Sequence, residues 1–228
     1  MIKTVFLDLD DTIFDFKACE RQALAASLEQ CAVSFVDADL SAYSEINDSM
    51  WKALERGEIT REELKVKRFE VFLSRFSLCI DPVRFADLYM AHLSTTNVLI
   101  QGARELLETL SKSYDLYAVT NGYEYSQKGR IRSAGIGKYF KDIFISQCIG
   151  AVKPNKEYFD RCVRRIPDFE LSSTVLIGDS PTSDISGGNT YGLYTIRYNP
   201  KHLPNPENAI PRSEVSSLSE IPALLEKL

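Results

Sequence analysis

Near its start the chain runs Val5-Phe6-Leu7 and then turns abruptly acidic, with Asp8, Asp10 and Asp11 in the next four positions and Thr12 after them. A short apolar stretch bounded by polar residues predicts a buried strand. Residues two apart on a strand share a face, so Asp8 and Asp10 are expected to stand together at its carboxyl end. Like charges held that close raise each other's pKa, and a divalent metal with oxygen ligands is the usual compensation.

The pattern then changes period. Apolar positions at helical spacing predict helices over Lys17–Gln30 and about Leu40–Leu54. Thr60 followed by Glu63 is a capping box for a third helix through Phe76. Asp81-Pro82 is a start signal for a fourth, running toward His92. No strand pattern occurs from Phe16 to about Thr96, which predicts an all-helical insertion. Beyond Gly102, strands and helices alternate. Strands are expected at Leu116–Val119, Ile143–Ser146, Val175–Ile177 and Tyr194–Ile196. Helices are expected at Ala103–Ser113, Tyr125–Ser133 and Lys156–Arg165, with a short one ending at Tyr191. Such alternation implies a Rossmann-like α/β fold, a parallel sheet with helices on both faces. The expected division is residues 1–14 and 98–228 as the α/β core and residues 15–97 as a helical cap. Phe14-Asp15-Phe16 and Asn97-Val98 would be the hinges. Asn199–Pro211 reads as loop.

Four polar clusters follow the apolar runs: Asp8 to Thr12, Thr120-Asn121-Gly122, Lys153-Pro154, and Gly178-Asp179-Ser180 with Asp184. In an open parallel sheet, ligands bind outside the carboxyl ends of the strands, so these distant residues can converge. The formal net charge of −5 argues against general affinity for nucleic acid, though a local cation can still bind a small anion. No apolar run approaches membrane-spanning length. Cys19, Cys31, Cys79, Cys148 and Cys162 are scattered and never form CxxC, as expected of buried free thiols in a reducing cytoplasm. With only His92 and His202 as histidines, a multi-imidazole site is excluded.

In this order the clusters resemble the motifs of the haloacid dehalogenase superfamily, whose phosphohydrolases use an aspartate nucleophile. Asp8, Asp10 and Thr12 match the first motif, Thr120 the second, Lys153 the third, and Asp179 with Asp184 the fourth. The resemblance implies that Asp8 attacks phosphorus and Asp10 exchanges protons with the leaving group and then with water. It implies that Thr120, Asn121 and Gly122 hold the phosphoryl oxygens, and that Lys153 neutralises them. Mg2+ would be held by Asp8, the Asp10 carbonyl and Asp179, with Asp184 ordering a metal-bound water or pairing with Lys153. An acid at position 10 suits phosphate esters, because true dehalogenases need no proton for their leaving group. Trp51 to Thr60, Glu63-Leu64, Arg68-Phe69 and Thr120 to Tyr123 are similar to the branch of pyrimidine and non-canonical-nucleotide 5′-nucleotidases. A small phosphorylated metabolite, foremost a nucleoside monophosphate, is the partner so implied. Alternatives on the same core are a sugar-phosphate or phosphoglycolate phosphatase and a phosphoglucomutase-like phosphotransferase. A phosphometabolite-binding regulator without turnover is disfavoured, since all the motif residues are present.

Overall fold

Six parallel strands in the order β3-β2-β1-β4-β5-β6 form the centre of the molecule, in a computed structural model that describes residues 1–228. They are β1 (Thr4–Leu7), β2 (Asp115–Thr120), β3 (Asp142–Ile145), β4 (Thr174–Gly178), β5 (Tyr194–Tyr198) and β6 (Ser213–Val215). Strand β1 is central, pairing Leu7 with Ala118 on one side and with Ile177 on the other. Buried on both faces, it must be apolar at every position, which is why it reads as a continuous run and not an alternating one. Val5 and Leu7 pack with Ala118, Val175 and Ile177 on one face of the sheet. Phe6 packs on the other with Tyr117, Phe144 and Leu176.

Between β1 and β2 lie α1 (Phe16–Gln30), α2 (Asp37–Glu55), α3 (Arg61–Arg75), α4 (Pro82–Leu93) and α5 (Ala103–Leu110). The first four enclose an apolar cluster of their own, built around Tyr43, Phe69, Phe72, Phe85 and Tyr89. Thr60 accepts from the Glu63 N–H while the Glu63 carboxylate accepts from the Thr60 N–H, so the capping box forms as predicted. Asp81 caps α4 at the Val83 N–H. Helices α6 (Glu124–Ala134), α7 (Ser146–Ile149), α8 (Lys156–Val163), α9 (Gly187–Tyr191) and α10 (Ile221–Leu225) cover the sheet. Gly135, at φ 65°, ends α6 in the left-handed conformation that glycine adopts without penalty.

Several expectations need correction. Strand β1 stops at Leu7, so the period-two rule does not govern Asp10, which bridges to Phe14 across the turn that follows. Ser146 begins a one-turn helix instead of ending β3. The short element after β4 is a π-helical turn at Pro181–Ser186 that runs into α9. The edge strand β6 lies past the loop, and its three residues are too few to show a period. Only Cys19 and Cys162 are buried, whereas Cys79 and Cys148 are exposed: one lies in the irregular link between α3 and α4, the other sits on the open side of α7. No helix is long and apolar enough to cross a membrane.

Helix α9 packs tightly on the sheet at Gly188. A Cβ on Gly188 would stand 2.6 Å from Thr195 Cγ2 and 2.9 Å from Leu176 Cδ2. Both neighbours are fully buried and have nowhere to retreat. Gly188→Ala is therefore expected to cost about 1–3 kcal/mol, read as a lowered urea midpoint with an unchanged slope.

Candidate active site

The crevice forms where the chain leaves the carboxyl ends of β1, β2 and β4. Asp8 follows β1 directly, Thr120 ends β2, and Asp179 follows β4. Because β1 lies between β2 and β4, its tip marks the point where the crossovers diverge, the site at which open α/β sheets bind ligands. Lys153 reaches the same place from the loop after α7, and Asp184 from the π-helical turn.

Lys153 is 1% exposed, and its ammonium has three donors. All are used: to Asp8 Oδ1 at 2.7 Å, Asp184 Oδ1 at 2.6 Å and the Val119 carbonyl at 2.9 Å. Burial by itself would lower the lysine pKa, but the charges of Asp184 and Asp8 outweigh it and raise the value. Asp184 Oδ2 accepts from the Ser180 N–H at 3.1 Å. Any Cβ on Gly178 would collide with this carboxylate, so the glycine of the fourth cluster makes room for it.

Burial pushes the Asp8 carboxyl up to about 8 against the pull of Lys153, with Asp184 and Asp10 adding to the rise. Loss of solvent, and then repulsion from Asp8, Asp184 and Asp11, also raises Asp179. One carboxylate oxygen from each of Asp8, Asp179 and Asp184 lies within 4.8 Å of the others. Such an all-oxygen set, still short of positive charge after Lys153, fits a hard divalent cation.

Thr120 Oγ1 accepts from the Gly122 N–H at 3.1 Å and from Gln127 Nε2 at 2.7 Å. With both acceptor positions filled, its own proton is left to point into the crevice. The Asn121 amide bonds the Lys153 main chain in both directions, at 2.9 Å each, so this side chain braces the lysine loop. Thr12 is fully buried.

Three contributors escaped the sequence reading. Arg130, 1% exposed, donates to Asp10 Oδ1 at 2.5 Å, and Gln127 Nε2 donates to Asp10 Oδ2 at 2.7 Å. Both stand on α6 and hold one carboxylate oxygen of Asp10 each. Their spacing (i, i+3) puts them on one helix face, but a polar pair of that kind normally faces solvent. Arg197 on β5, also buried, donates to the Asp179 carbonyl at 3.3 Å and ties in the loop after Asn199 through Leu203 and Asn205. Asp11, at φ 60°, accepts from the Phe16 N–H and so sets the start of α1.

A cavity of about 470 Å³ opens above these groups, with Trp51, Lys52, Glu55 and Arg68 of the helical insertion on its far wall and Pro206 at its rim. Arg61 crosses to the sheet, donating to the Asn121 carbonyl at 2.9 Å and to Ser146 Oγ at 2.6 Å. Thr182 donates to Glu55 at 2.9 Å on the opposite side.

Residues 2–192 match the haloacid dehalogenase-like hydrolase family. The HAD-hydrolase YfnB of Bacillus subtilis is 39% identical over 96% of this chain and 93% of its own. Its magnesium-bound crystal structure superposes with a TM-score of 0.94, covering 98% of each chain. The pyrimidine 5′-nucleotidase PynA of Streptococcus pneumoniae is 37% identical over 99% of this chain and 95% of its own. The pyrimidine 5′-nucleotidase YjjG of Escherichia coli is 30% identical over 98% and 97%. This chain belongs to the haloacid dehalogenase-like hydrolase family and is an enzyme of that class.

The raised carboxylates predict a linked response to pH and metal. A group whose folded pKa lies above its unfolded value holds its proton longer when folded, so the metal-free protein loses stability as pH rises from about 4 through about 8. A divalent cation competes with those protons and restores the loss. The rise in melting temperature on adding MgCl2 is expected to be larger at about pH 8 than at about pH 5. Equal rises, measured by calorimetry, would refute the assignment of the acidic cluster.

Proposed function

We propose that the protein is a Mg2+-dependent phosphomonoesterase that passes the phosphoryl group through Asp8 and acts on nucleoside 5′-monophosphates. The observation that carries this reading is the Asp8–Lys153–Asp184 arrangement beside Asp179 on the floor of a walled cavity. Asp8, Asp179 and the main chain at Asp10 would hold Mg2+, which when bound screens the repulsion between carboxylate and phosphate.

Asp8 attacks phosphorus, the P–O bond to the alcohol breaks, and the leaving oxygen takes a proton from Asp10. Water then attacks the aspartyl phosphate, giving its proton to Asp10 and releasing inorganic phosphate and free Asp8. Two easier steps replace one difficult hydrolysis. Lys153 keeps Asp8 oriented and offsets the charge gathering on the transferred group. The Thr120 hydroxyl and the main chain of Asn121 and Gly122 hold the phosphoryl oxygens, and Asp184 fixes Lys153 from behind. Arg130 and Gln127 set where the Asp10 carboxylate sits.

Residues 15–97 act as a cap over the core formed by 1–14 and 98–228, excluding water and supplying substrate contacts. The nucleotide preference is supported by the two relatives named pyrimidine 5′-nucleotidases and by the aromatic and arginine residues on the cap wall. Its unpaired cysteines, two of them exposed, fit work in a reducing cytoplasm.

Asp8→Asn is nearly isosteric and is expected to fold normally while kcat falls by about 10⁴-fold or more. Retained turnover would exclude Asp8 as nucleophile. In a panel of esters, nucleoside monophosphates are expected to exceed hexose phosphates and phosphoglycolate in kcat/KM. The reverse order would favour a sugar-phosphate or phosphoglycolate phosphatase.

A further inference from the structure

Arg68 on α3 is 2% exposed, yet no carboxylate touches it. A guanidinium carries five N–H donors, and its recorded partners are a neutral amide, Asn47 Oδ1 at 2.8 Å, and a weak acceptor, Met90 Sδ at 3.7 Å. Its Nε has no partner at all. The nearest acid, Glu20, is held off by one residue: it accepts from Asn47 Nδ2 at 2.6 Å and from Ser44 Oγ at 2.6 Å. Removing a cation from water without a direct counter-charge or a full set of acceptors is costly, and structures seldom keep such a group without a use for it.

The surroundings define that use. Arg68 lines the same cavity as Asp8 and Lys153. Its guanidinium carbon lies 4.8, 5.3 and 5.8 Å from the ring centroids of Phe69, Tyr89 and Tyr123, and each terminal nitrogen keeps a second N–H beyond those given to Asn47 and Met90. Met90 and Leu93 flank it on the cavity wall, with Trp51 nearby. A ligand portion that suits this corner is flat, largely apolar, and carries an oxygen acceptor on its rim. Glu20 already balances the charge through Asn47, so a neutral oxygen is sufficient.

We propose that Arg68 is the specificity-determining residue of the cap, donating from a spare terminal N–H to a ring carbonyl oxygen of a pyrimidine-type base on the leaving group. This rests on the nucleotide reading above and deepens it by naming the atom that selects the base. Asn47 is its positioning residue, because an amide there orients the guanidinium without capturing it as a carboxylate would.

The test compares thymidine 5′-monophosphate with deoxyribose 5-phosphate, which keeps the reacting end and lacks the base. Arg68→Met and Arg68→Lys are measured alongside the wild type, with melting temperatures. In Arg68→Met, kcat/KM for the nucleotide is expected to fall about 10- to 100-fold, the loss of a charge-assisted hydrogen bond, while that for deoxyribose 5-phosphate stays within about threefold. Arg68→Lys keeps the charge but not the planar fork, and a smaller loss confined to the nucleotide is expected. Should the methionine variant fail to fold, the lysine variant decides by the same criterion. Parallel losses on both esters, or none, would overturn the assignment of Arg68. So would a loss confined to a sugar bisphosphate, which would make Arg68 a reader of a second phosphate. A wild type that cleaves deoxyribose 5-phosphate as well as the nucleotide would instead overturn the nucleotide reading itself.

Discussion

One buried ammonium organises this molecule. Lys153 binds the first residue after β1, a carbonyl near the end of β2 and an acid from the turn after β4, so three separate chain segments meet on one atom. A buried ion pair of this sort is weak evidence for stability, because apolar residues of similar volume often serve as well or better. Its merit is geometric. The charges hold Asp8 and Asp184 in place, and the acids around them leave a cluster of oxygen ligands that suits a divalent cation.

Other features follow from that cluster. Gly178 is small because Asp184 must pass over it. Asn121 spends its amide on the Lys153 main chain because the lysine loop has no regular structure of its own to hold it. Arg197 anchors Asp179 from the next strand and carries the loop after Asn199 to the rim of the cavity. Asp10 belongs to a second electrostatic group, with Arg130 and Gln127, so the two acids that stand two apart in the chain serve different partners.

The helical insertion gives the site its other end. Arg61 ties it to the core at Asn121 and Ser146, and Glu55 ties it at Thr182. The core side is lined by the acids and Lys153, whereas the insertion contributes the apolar groups Phe16, Trp51, Met90 and Leu93 together with charged ones, Lys17, Asp48, Lys52, Glu55 and the buried Arg68.

The strand–helix alternation, the insertion after β1, the capping box at Thr60 and the motif residues Asp8, Thr120, Lys153, Asp179 and Asp184 were all legible in the sequence. Each depends on local periodicity or on a short pattern at the end of an apolar run. The roles of Arg130, Gln127, Arg68 and Arg197 were not. A polar residue on a helix or an edge-side strand looks solvent-facing until tertiary packing buries it, and burial is what turns an ordinary arginine into a structural charge. The edge strand β6 was hidden for a related reason: three residues carry no period, and only the neighbouring β5 makes them a strand. Local pattern thus determined which elements form and which acids end them. Long-range contact decided which charges face one another, since Coulombic and desolvation energies depend on neighbours that here lie 120 and 145 residues away along the chain.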